Sequence, residues 1–378
     1  MLSSKLRKYR EAAETSVSLA LGNIFDFLSM SVITIGQEIL VTYRGLLLVY
    51  PQISALSGGL LLSSTGRLIS HYLIGSLDRS KIVREAASVL GPGVVLVLVF
   101  SILAGAVGGF EIISLAAASS AVFVLSAVVS LAVAGILIYI TVRLRLSPDY
   151  TVPAVLTSFV DLVVIILAIA VYPILLDVLN PLSWIVIVSV SLSISFMLIA
   201  LNFRLSLDTI YSNIALQIFE TGAGLLLATA APLLVASGFL AVIPPVNKLA
   251  GSVASGTASW ATTQFALFGL GKRSINPVGM SARMAAASIP PSIVVGVAGY
   301  ALAVVGGASY NLYSLLAVVI LASGLSFIGS IIAWAIVLVA VRAGVDPDAT
   351  SQPLVTGLVD LMGVSLFYIA SVALVGVV

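Results

Sequence analysis

The sequence predicts an all-α polytopic membrane protein with about eleven transmembrane helices, arranged as two parallel five-helix repeats joined by one linker helix. Three observations predict this class. Hydrophobic residues make up 60% of the chain and charged residues 8%, whereas about a quarter of a soluble domain is charged. The hydrophobic residues form eleven long runs, and two sequence blocks of the first half recur in the second half.

Composition also excludes several kinds of function. The net charge of +2 is too small to indicate a nucleic-acid partner, and the mean hydropathy of +1.22 makes the lipid bilayer the expected surroundings. The chain has no cysteine, which removes disulfides, thiolate metal ligands and cysteine nucleophiles. His71 is the only histidine, so we expect it to be a satisfied interfacial residue rather than a transition-metal ligand.

The spans follow from the rule that a membrane helix needs about 20 mostly apolar residues. They lie near 16–41, 44–77, 86–110, 113–142, 152–176, 182–203, 208–236, 238–270, 284–305, 312–341 and 352–377. The second and eighth spans are too long for one straight helix and contain proline and glycine near their first third. We expect each of them to be broken or strongly tilted.

The distribution of Lys and Arg predicts the orientation. With a cytoplasmic N-terminus, fourteen of the seventeen basic residues fall in the N-terminal segment or in the even-numbered connections, on the cytoplasmic side. We therefore expect a plasma-membrane protein with its N-terminus in the cytoplasm and its C-terminus outside. Residues 1–15 lack the apolar core of a signal peptide and are expected to form a short cytoplasmic tail.

An internal repeat relates the two halves of the chain. Residues 147–165 align with 346–364 at an offset of 199, and 45–52 align with 238–245 at an offset of 193. Among the identical residues of the first pair of blocks are Pro148, Asp149, Thr151, Thr157 and Asp161, which recur as Pro347, Asp348, Thr350, Thr356 and Asp360. Two ordered blocks at nearly equal offset indicate a duplicated five-helix unit.

The number of helices predicts how the two copies are related. We expect the first repeat at 16–177, a linker helix within 178–205 and the second repeat at 206–378. A five-helix unit fused directly to its copy would invert the copy, and the linker helix restores the orientation. The repeats are therefore expected to be parallel about a pseudo-twofold axis, with a central pathway on that axis, so that a single chain acts as a pseudo-dimer.

Carboxylates inside the spans are the first candidate site residues. An aspartate at a helix centre costs roughly 2.5–3.5 kcal/mol on insertion scales, so it should meet a partner, water or an ion. Asp161 follows Thr157 by four residues, and Asp360 follows Thr356 in the same way, which places each hydroxyl and carboxylate on one helix face. They either bind a hard cation through oxygen ligands or hold neighbouring helices together. We favour the cation because the pair recurs.

Polar stripes on the first and seventh spans give further candidates. Asn23 and Asp26 lie on the first span, and Gln217 and Glu220 lie at helical spacing on the seventh. Asp26 and Glu220 are near-equivalents in the repeat. These stripes either line a vestibule that attracts cations or form hydrogen bonds between helices, and the sequence favours neither interpretation.

The proline-led second and eighth spans carry the remaining candidates. Gly58, Gly251 and Asn247 are candidates for lining the pathway. Arg67 is expected to pair with a carboxylate or to reach the membrane interface. Lys248 aligns with an alanine of the first half and would either neutralise an acid or act as a tether where one half has lost its own ion site.

Two segments resemble a known family. Residues 350–370, TSQPLVTGLVDLMGVSLFYIA, resemble the last membrane helix of MgtE-type magnesium channels, and the copy in the first half keeps the Thr–Asp spacing. The segment 46–70 is similar to the proline-led helix of the solute carrier family 41 branch, including an Arg–Leu–x–Ser sequence. Gly59 replaces the asparagine of that helix, and in the second half Trp260 replaces the arginine.

The resemblance implies a function. In MgtE-type channels the aspartate of this motif binds the pore magnesium, which assigns that role to Asp161 and Asp360. The resemblance implies a transporter of divalent cations, magnesium first, with no cofactor and no enzymatic activity. It also implies two fused MgtE-like domains, here expected to lack the large cytoplasmic sensor of the bacterial channels.

Other functions stay open on the residues alone. A proton- or sodium-coupled carrier of another ion or small solute would also need membrane carboxylates. An intramembrane aspartyl protease would need two close carboxyl groups that share a proton. Its Gly-x-Gly-Asp sequence is absent, because Val160 and Val359 precede the two aspartates. A scaffold without transport is the third alternative.

Overall fold

A computed structural model describes residues 22–73, 75–144, 148–201, 207–268, 277–306, 312–345 and 347–375. These residues form helices and connecting turns, with no strand among them. The helices are α1 Gly22–Ile35, α2 Gln37–Thr42, α3 Arg44–Leu73, α4 Arg79–Gly108, α5 Ile112–Arg143, α6 Pro148–Asp177, α7 Pro181–Leu201, α8 Leu207–Ala236, α9 Ile243–Phe268, α10 Pro277–Gly306, α11 Leu312–Ala343 and α12 Pro347–Val375. The predicted N-terminal tail, 1–15, lies outside the described residues.

The fold is that of a multi-pass helical membrane protein. Within the described ranges, nine helices, α3 to α8 and α10 to α12, are long and apolar enough to cross a membrane, and α1 is a shorter apolar helix. The predicted all-α membrane class is confirmed. The arrangement as five, one and five helices stays a prediction.

The two proline-led spans differ in structure. The predicted eighth span begins with a turn in which Gly238 has a φ of 73°, and α9 starts only at Ile243. Pro244 and Pro245 therefore fall in its first turn, where no backbone donor is lost. In the second span, of the predicted break or strong tilt, the break does not occur, since α3 is continuous with Pro51 inside it. The tilt stays a prediction. A membrane helix tolerates proline where neighbouring groups satisfy the freed carbonyl.

The chain forms two compact units. Unit 1 comprises residues 1–29 and 53–204, and unit 2 comprises 30–52 and 205–378. In unit 1, α5 packs against α4, α6 and α7; in unit 2, α8 packs along α12, and α9 packs against α11 and α12. Residues 30–52, which lie early in the first predicted repeat, thus pack with the second half of the chain. The repeat boundaries themselves stay a prediction.

Small residues allow close helix packing in unit 2. Ala250, Ala254, Ala258 and Ala261 form a fully buried row along α9. Gly329 of α11 faces this row, and a Cβ at this glycine would lie 3.2 Å from the Ala254 Cβ. Small side chains at helix contacts let backbones approach closely in a membrane protein. This packing holds α9 where its polar residues reach α12.

Candidate functional site

The first predicted aspartate lies in unit 1, against α3. Asp161 is half-buried on α6, and the Ser54 hydroxyl of α3 donates a hydrogen bond to its Oδ1. On the same stretch of α6, Phe159 packs edge to face against Phe25 of α1, with ring centroids 5.5 Å apart. Contacts from two helices therefore hold this part of α6, and a hydroxyl hydrogen bond orients the carboxylate.

The second predicted aspartate lies in unit 2, against α9. Asp360 is half-buried on α12, and the Asn247 side chain donates from Nδ2 to its backbone oxygen over 3.2 Å. Asn247 is only 5% exposed, and its Oδ1 accepts no hydrogen bond from the described residues. A Cβ at Gly363 would lie 1.8 Å from that Oδ1, so a side chain at this position would displace the Asn247 amide.

These two contacts join equivalent positions of the repeat. Ser54 and Asn247 differ by 193 positions, and Asp161 and Asp360 differ by 199, the offsets of the two repeated blocks. In each unit, the same position of the proline-led helix therefore donates to the aspartate of the last helix. The sequence analysis missed Ser54. Extending the alignment with the offset of 193 residues as far as Asn247 would have identified Ser54 as its equivalent.

The neighbouring candidates continue the contact between α9 and α12. Gly251 lies one turn after Asn247 on α9, and Thr356 lies one turn before Asp360 on α12. A Cβ added at Gly251 would lie 3.9 Å from the Thr356 Cγ2. The Thr356 hydroxyl donates to the Gln352 backbone oxygen over 3.0 Å. In unit 1, Thr157 is half-buried, and a Cβ at Gly58 would meet nothing within 4 Å. The space beside Gly58 is thus open, whereas Gly251 is buried.

The polar stripe of the seventh span is buried inside unit 2. Gln217 is 0% exposed and Glu220 is 1% exposed. Gln217 Nε2 donates to the backbone oxygen of Gln52 over 3.0 Å, and Gln52 Nε2 donates to Thr221 Oγ1 over 3.1 Å. Of the two interpretations of this stripe, hydrogen bonding between helices is therefore observed for Gln217. The sequence analysis missed Gln52 and Thr221.

The matching stripe of the first span lies in a different environment. Asn23 is exposed and Asp26 is half-buried on α1, in contrast to their buried counterparts on α8. The two stripes are therefore not equivalent in burial, although they occupy similar places in the repeat. A role for Asn23 and Asp26 in attracting cations stays a prediction.

The basic residues near these helices have distinct surroundings. Arg67 of α3 forms an ion pair with Glu85 of α4, with 2.7 Å between Nη2 and Oε2, and its Nε donates to the same oxygen over 2.8 Å. The predicted pairing of Arg67 with a carboxylate is confirmed. The His71 Nδ1 lies 3.2 Å from the Ser76 hydroxyl. Lys248 is half-buried beside Asn247, and its predicted roles stay predictions.

The candidate ligands are few and are oxygen atoms. In the part of the chain that the structure describes, no group of three or more His, Cys, Asp or Glu side chains could hold a metal ion. Single carboxylates, hydroxyls and amide oxygens suit a hard ion such as magnesium, which dehydrates reluctantly and keeps several waters.

The long apolar helices define a multi-pass membrane protein, and ionisable residues inside such helices often mark a pathway for an ion or a substrate. Within this class, residues 243–370 match the MgtE family, described as divalent cation transporters. The match confirms the predicted resemblance to MgtE-type transporters and runs through Asn247, Thr356 and Asp360. It supports divalent cation transport and fits the expectation of a protein that is not an enzyme. No curated protein and no solved structure matches the chain.

Proposed function

We propose that the chain transports divalent cations, magnesium first, across the membrane along a pathway that touches Asp161 and Asp360. One observation carries this proposal. Ser54 and Asn247, at equivalent positions of the two halves, each donate a hydrogen bond to the aspartate-bearing helix at the aspartate itself. A duplicated hydrogen bond, to the carboxylate of Asp161 in one half and to the backbone oxygen of Asp360 in the other, in a chain that matches a transporter family over 243–370, favours an ion site over a packing contact.

The chemistry of the proposed sites follows from these contacts. A negative carboxylate inside the membrane attracts a cation strongly because little water screens it. The Ser54 hydroxyl keeps the carboxylate of Asp161 in place, and the carboxylate would face a water of the hydrated ion. The Asn247 Oδ1, which has no donor among the described residues, can accept a hydrogen bond from such a water. The ion therefore keeps most of its waters as it passes.

The pathway and topology belong to the same proposal. Thr157, Thr356, Gly58 and Gly251 would line the pathway beside the two aspartates. The sequence repeat supports a pseudo-twofold axis between the halves, so that one chain supplies both aspartates. The basic residues support a plasma-membrane protein with a cytoplasmic N-terminus.

The test is magnesium flux into proteoliposomes that contain a magnesium-sensitive dye. We expect the double variant Asp161→Asn/Asp360→Asn to lose flux, because asparagine keeps the shape but removes both charges. The matched control is Glu111→Gln, which removes the charge of an exposed glutamate in the turn before α5 and should leave flux unchanged. Flux at the wild-type rate in the double variant would refute the assignment of the aspartates.

A further inference from the structure

The first three turns of α4, residues 79–90, are separated from the rest of that helix by a Gly–Pro–Gly sequence centred on Pro92. We propose that this segment, the α4 arm, swings about Pro92 and is held against α3 by the ion pair between Arg67 and Glu85. The arm lies at the predicted cytoplasmic end of unit 1. That its movement controls cation flux rests on the proposed function, whereas the arm itself rests on the contacts of α4.

Pro92 gives α4 a point of low stiffness. Proline has no N–H to donate to the backbone carbonyl four residues earlier, here that of Ser88, and its ring clashes with that carbonyl. Glycine on either side adds backbone freedom, and sharp bends in helices occur at proline. The start of the arm lies about 20 Å from Pro92 at 1.5 Å per residue, so a bend of about 20° would move it by about 7 Å.

The residues on either side of the proline are held in place by other helices. On α7, the Ser195 hydroxyl donates to the Gly91 backbone oxygen, and a Cβ at Gly91 would lie 3.0 Å from the Ile199 Cγ1. On the other side of the proline, a Cβ at Gly93 would overlap the Phe123 ring of α5. These close contacts give the arm a stationary base.

Polar contacts hold the arm against α3. The Arg67 Nη2 lies 2.7 Å from the Glu85 Oε2, and the Arg67 Nε donates to the same oxygen over 2.8 Å. The same Nη2 donates to the Ser88 hydroxyl oxygen over 3.3 Å. The side chain of Glu85 is 9% exposed, whereas that of Arg67 is 48% exposed. Water and salt therefore reach the guanidinium, and salt weakens an ion pair that it reaches.

The second half of the chain has an apolar pair in place of these charges. At the offset of 199, identical residues of α4 and α10 are Arg84, Ala86, Ala87 and Pro92, which recur as Arg283, Ala285, Ala286 and Pro291. Within this run Met284 replaces Glu85, and at the offset of 193 Trp260 replaces Arg67. Replacing a buried ion pair by apolar residues of similar volume is often neutral or stabilising. A permanent contact therefore does not require the charges, whereas a contact that breaks and re-forms in water is well served by them.

The test is the distance between two nitroxide spin labels, measured by double electron–electron resonance on the purified full chain in lipid nanodiscs. The native chain has no cysteine, so labels attach only at Ser80→Cys on the arm and Leu144→Cys at the end of α5, both exposed and both in unit 1. We expect one main distance in this labelled parent, and in Glu85→Gln a second distance shifted by up to about 7 Å. Arg79→Gln removes an exposed charge of the same arm and should keep the single distance.

Two further measurements test the hinge and the ion pair separately. Adding Pro92→Ala to Glu85→Gln should remove the second distance, because alanine restores the helix hydrogen bond. Raising the salt concentration should produce the second distance in the labelled parent itself, which keeps the test decisive where Glu85→Gln does not fold. A single distance in folded Glu85→Gln or at high salt would overturn the arm, as would a second distance of equal size in Arg79→Gln. A second distance that persists with Pro92→Ala would overturn the hinge.

Magnesium flux into proteoliposomes connects the arm to transport. We expect Glu85→Gln to raise the initial rate over that of Arg79→Gln by about twofold or more, because the rate follows the population of the released arm. Equal rates in the two variants would overturn the control of flux by the arm. Absence of flux in every variant and in the wild type, together with the second distance in Glu85→Gln, would refute the proposed function and still support the arm.

Discussion

At the scale of residues, the hydrogen bond from Ser54 to Asp161 gives the serine a specific role. The hydroxyl contacts a half-buried carboxylate on another helix, and a hydrogen bond to a charged group contributes about 1.5–3 kcal/mol. A second buried serine of α3 differs in this respect. Ser57, one turn later on α3, is 0% exposed, and its hydroxyl has no partner among the described residues. The two serines therefore form a matched pair for mutation.

We expect Ser54→Ala to lower magnesium flux by about tenfold at limiting magnesium, because a contribution of about 1.4 kcal/mol corresponds to one order of magnitude. Without the hydroxyl, the carboxylate of Asp161 loses the donor that orients it. Initial flux rates into proteoliposomes over a range of magnesium concentrations would measure the change. Ser57→Ala should match the wild type, and an equal loss of flux in both variants would argue against a specific role for Ser54.

At the scale of elements, the contact between α8 and the start of α3 depends on one glycine. Any side chain at Gly224 would collide with the Leu48 backbone oxygen, and a backbone atom cannot move aside as the end of a flexible side chain can. Gly256 of α9 is the opposite case, because a Cβ there would meet nothing within 4 Å. The same change from glycine to alanine therefore has opposite consequences at two helical positions of unit 2.

We expect Gly224→Ala to destabilise the protein by about 1–3 kcal/mol through overpacking and to lower its thermal unfolding midpoint. Gly256→Ala should leave the midpoint unchanged or raise it, because alanine is favoured over glycine in a helix by about 0.5–1 kcal/mol. Tryptophan fluorescence during heating in detergent would measure both midpoints. A Gly224→Ala midpoint at or above that of Gly256→Ala would contradict the close contact.

The helix boundaries differ in how well the sequence predicts them. Hydropathy located some long apolar helices to within one residue, as in the predicted 113–142 span and the observed Ile112–Arg143. Others begin seven residues earlier than predicted, as in the predicted 86–110 span and the observed Arg79–Gly108. The effect of proline was less predictable. Pro244 and Pro245 begin α9, whereas Pro51 lies within α3. A proline is accepted inside a helix only where other groups satisfy the freed carbonyl, and those groups come from elsewhere in the fold.

At the scale of the whole molecule, the predicted topology can be tested directly because the chain has no cysteine. Single cysteines can therefore be introduced without removing native ones. The first turn of α4 contains the exposed Ser80, predicted on the cytoplasmic side, and the turn before α5 contains the exposed Glu111, predicted outside. Only α4 separates the two residues along the chain. If the predicted orientation were reversed, Ser80 would be accessible from outside and Glu111 from the cytoplasm.

In intact cells, we expect Glu111→Cys to react with a membrane-impermeant maleimide and Ser80→Cys to react only after the membrane is opened. The physical reason is the excess of Lys and Arg in the predicted cytoplasmic connections. Mass-tagged maleimide followed by gel electrophoresis would measure the reaction. The cysteine-free chain controls for background labelling, and labelling of Ser80→Cys in intact cells would reverse the predicted orientation.

The sequence by itself determined the membrane class, the approximate spans, the repeated Thr–Asp pairs and the resemblance to MgtE-type transporters. These properties depend on local hydropathy and on residue order, which are both written along the chain. Only the tertiary structure placed Ser54 at Asp161, joined Gln52 to Gln217 and packed residues 30–52 with unit 2. Such contacts join residues more than a hundred positions apart, and side-chain packing between helices, rather than hydropathy, decides which of them meet.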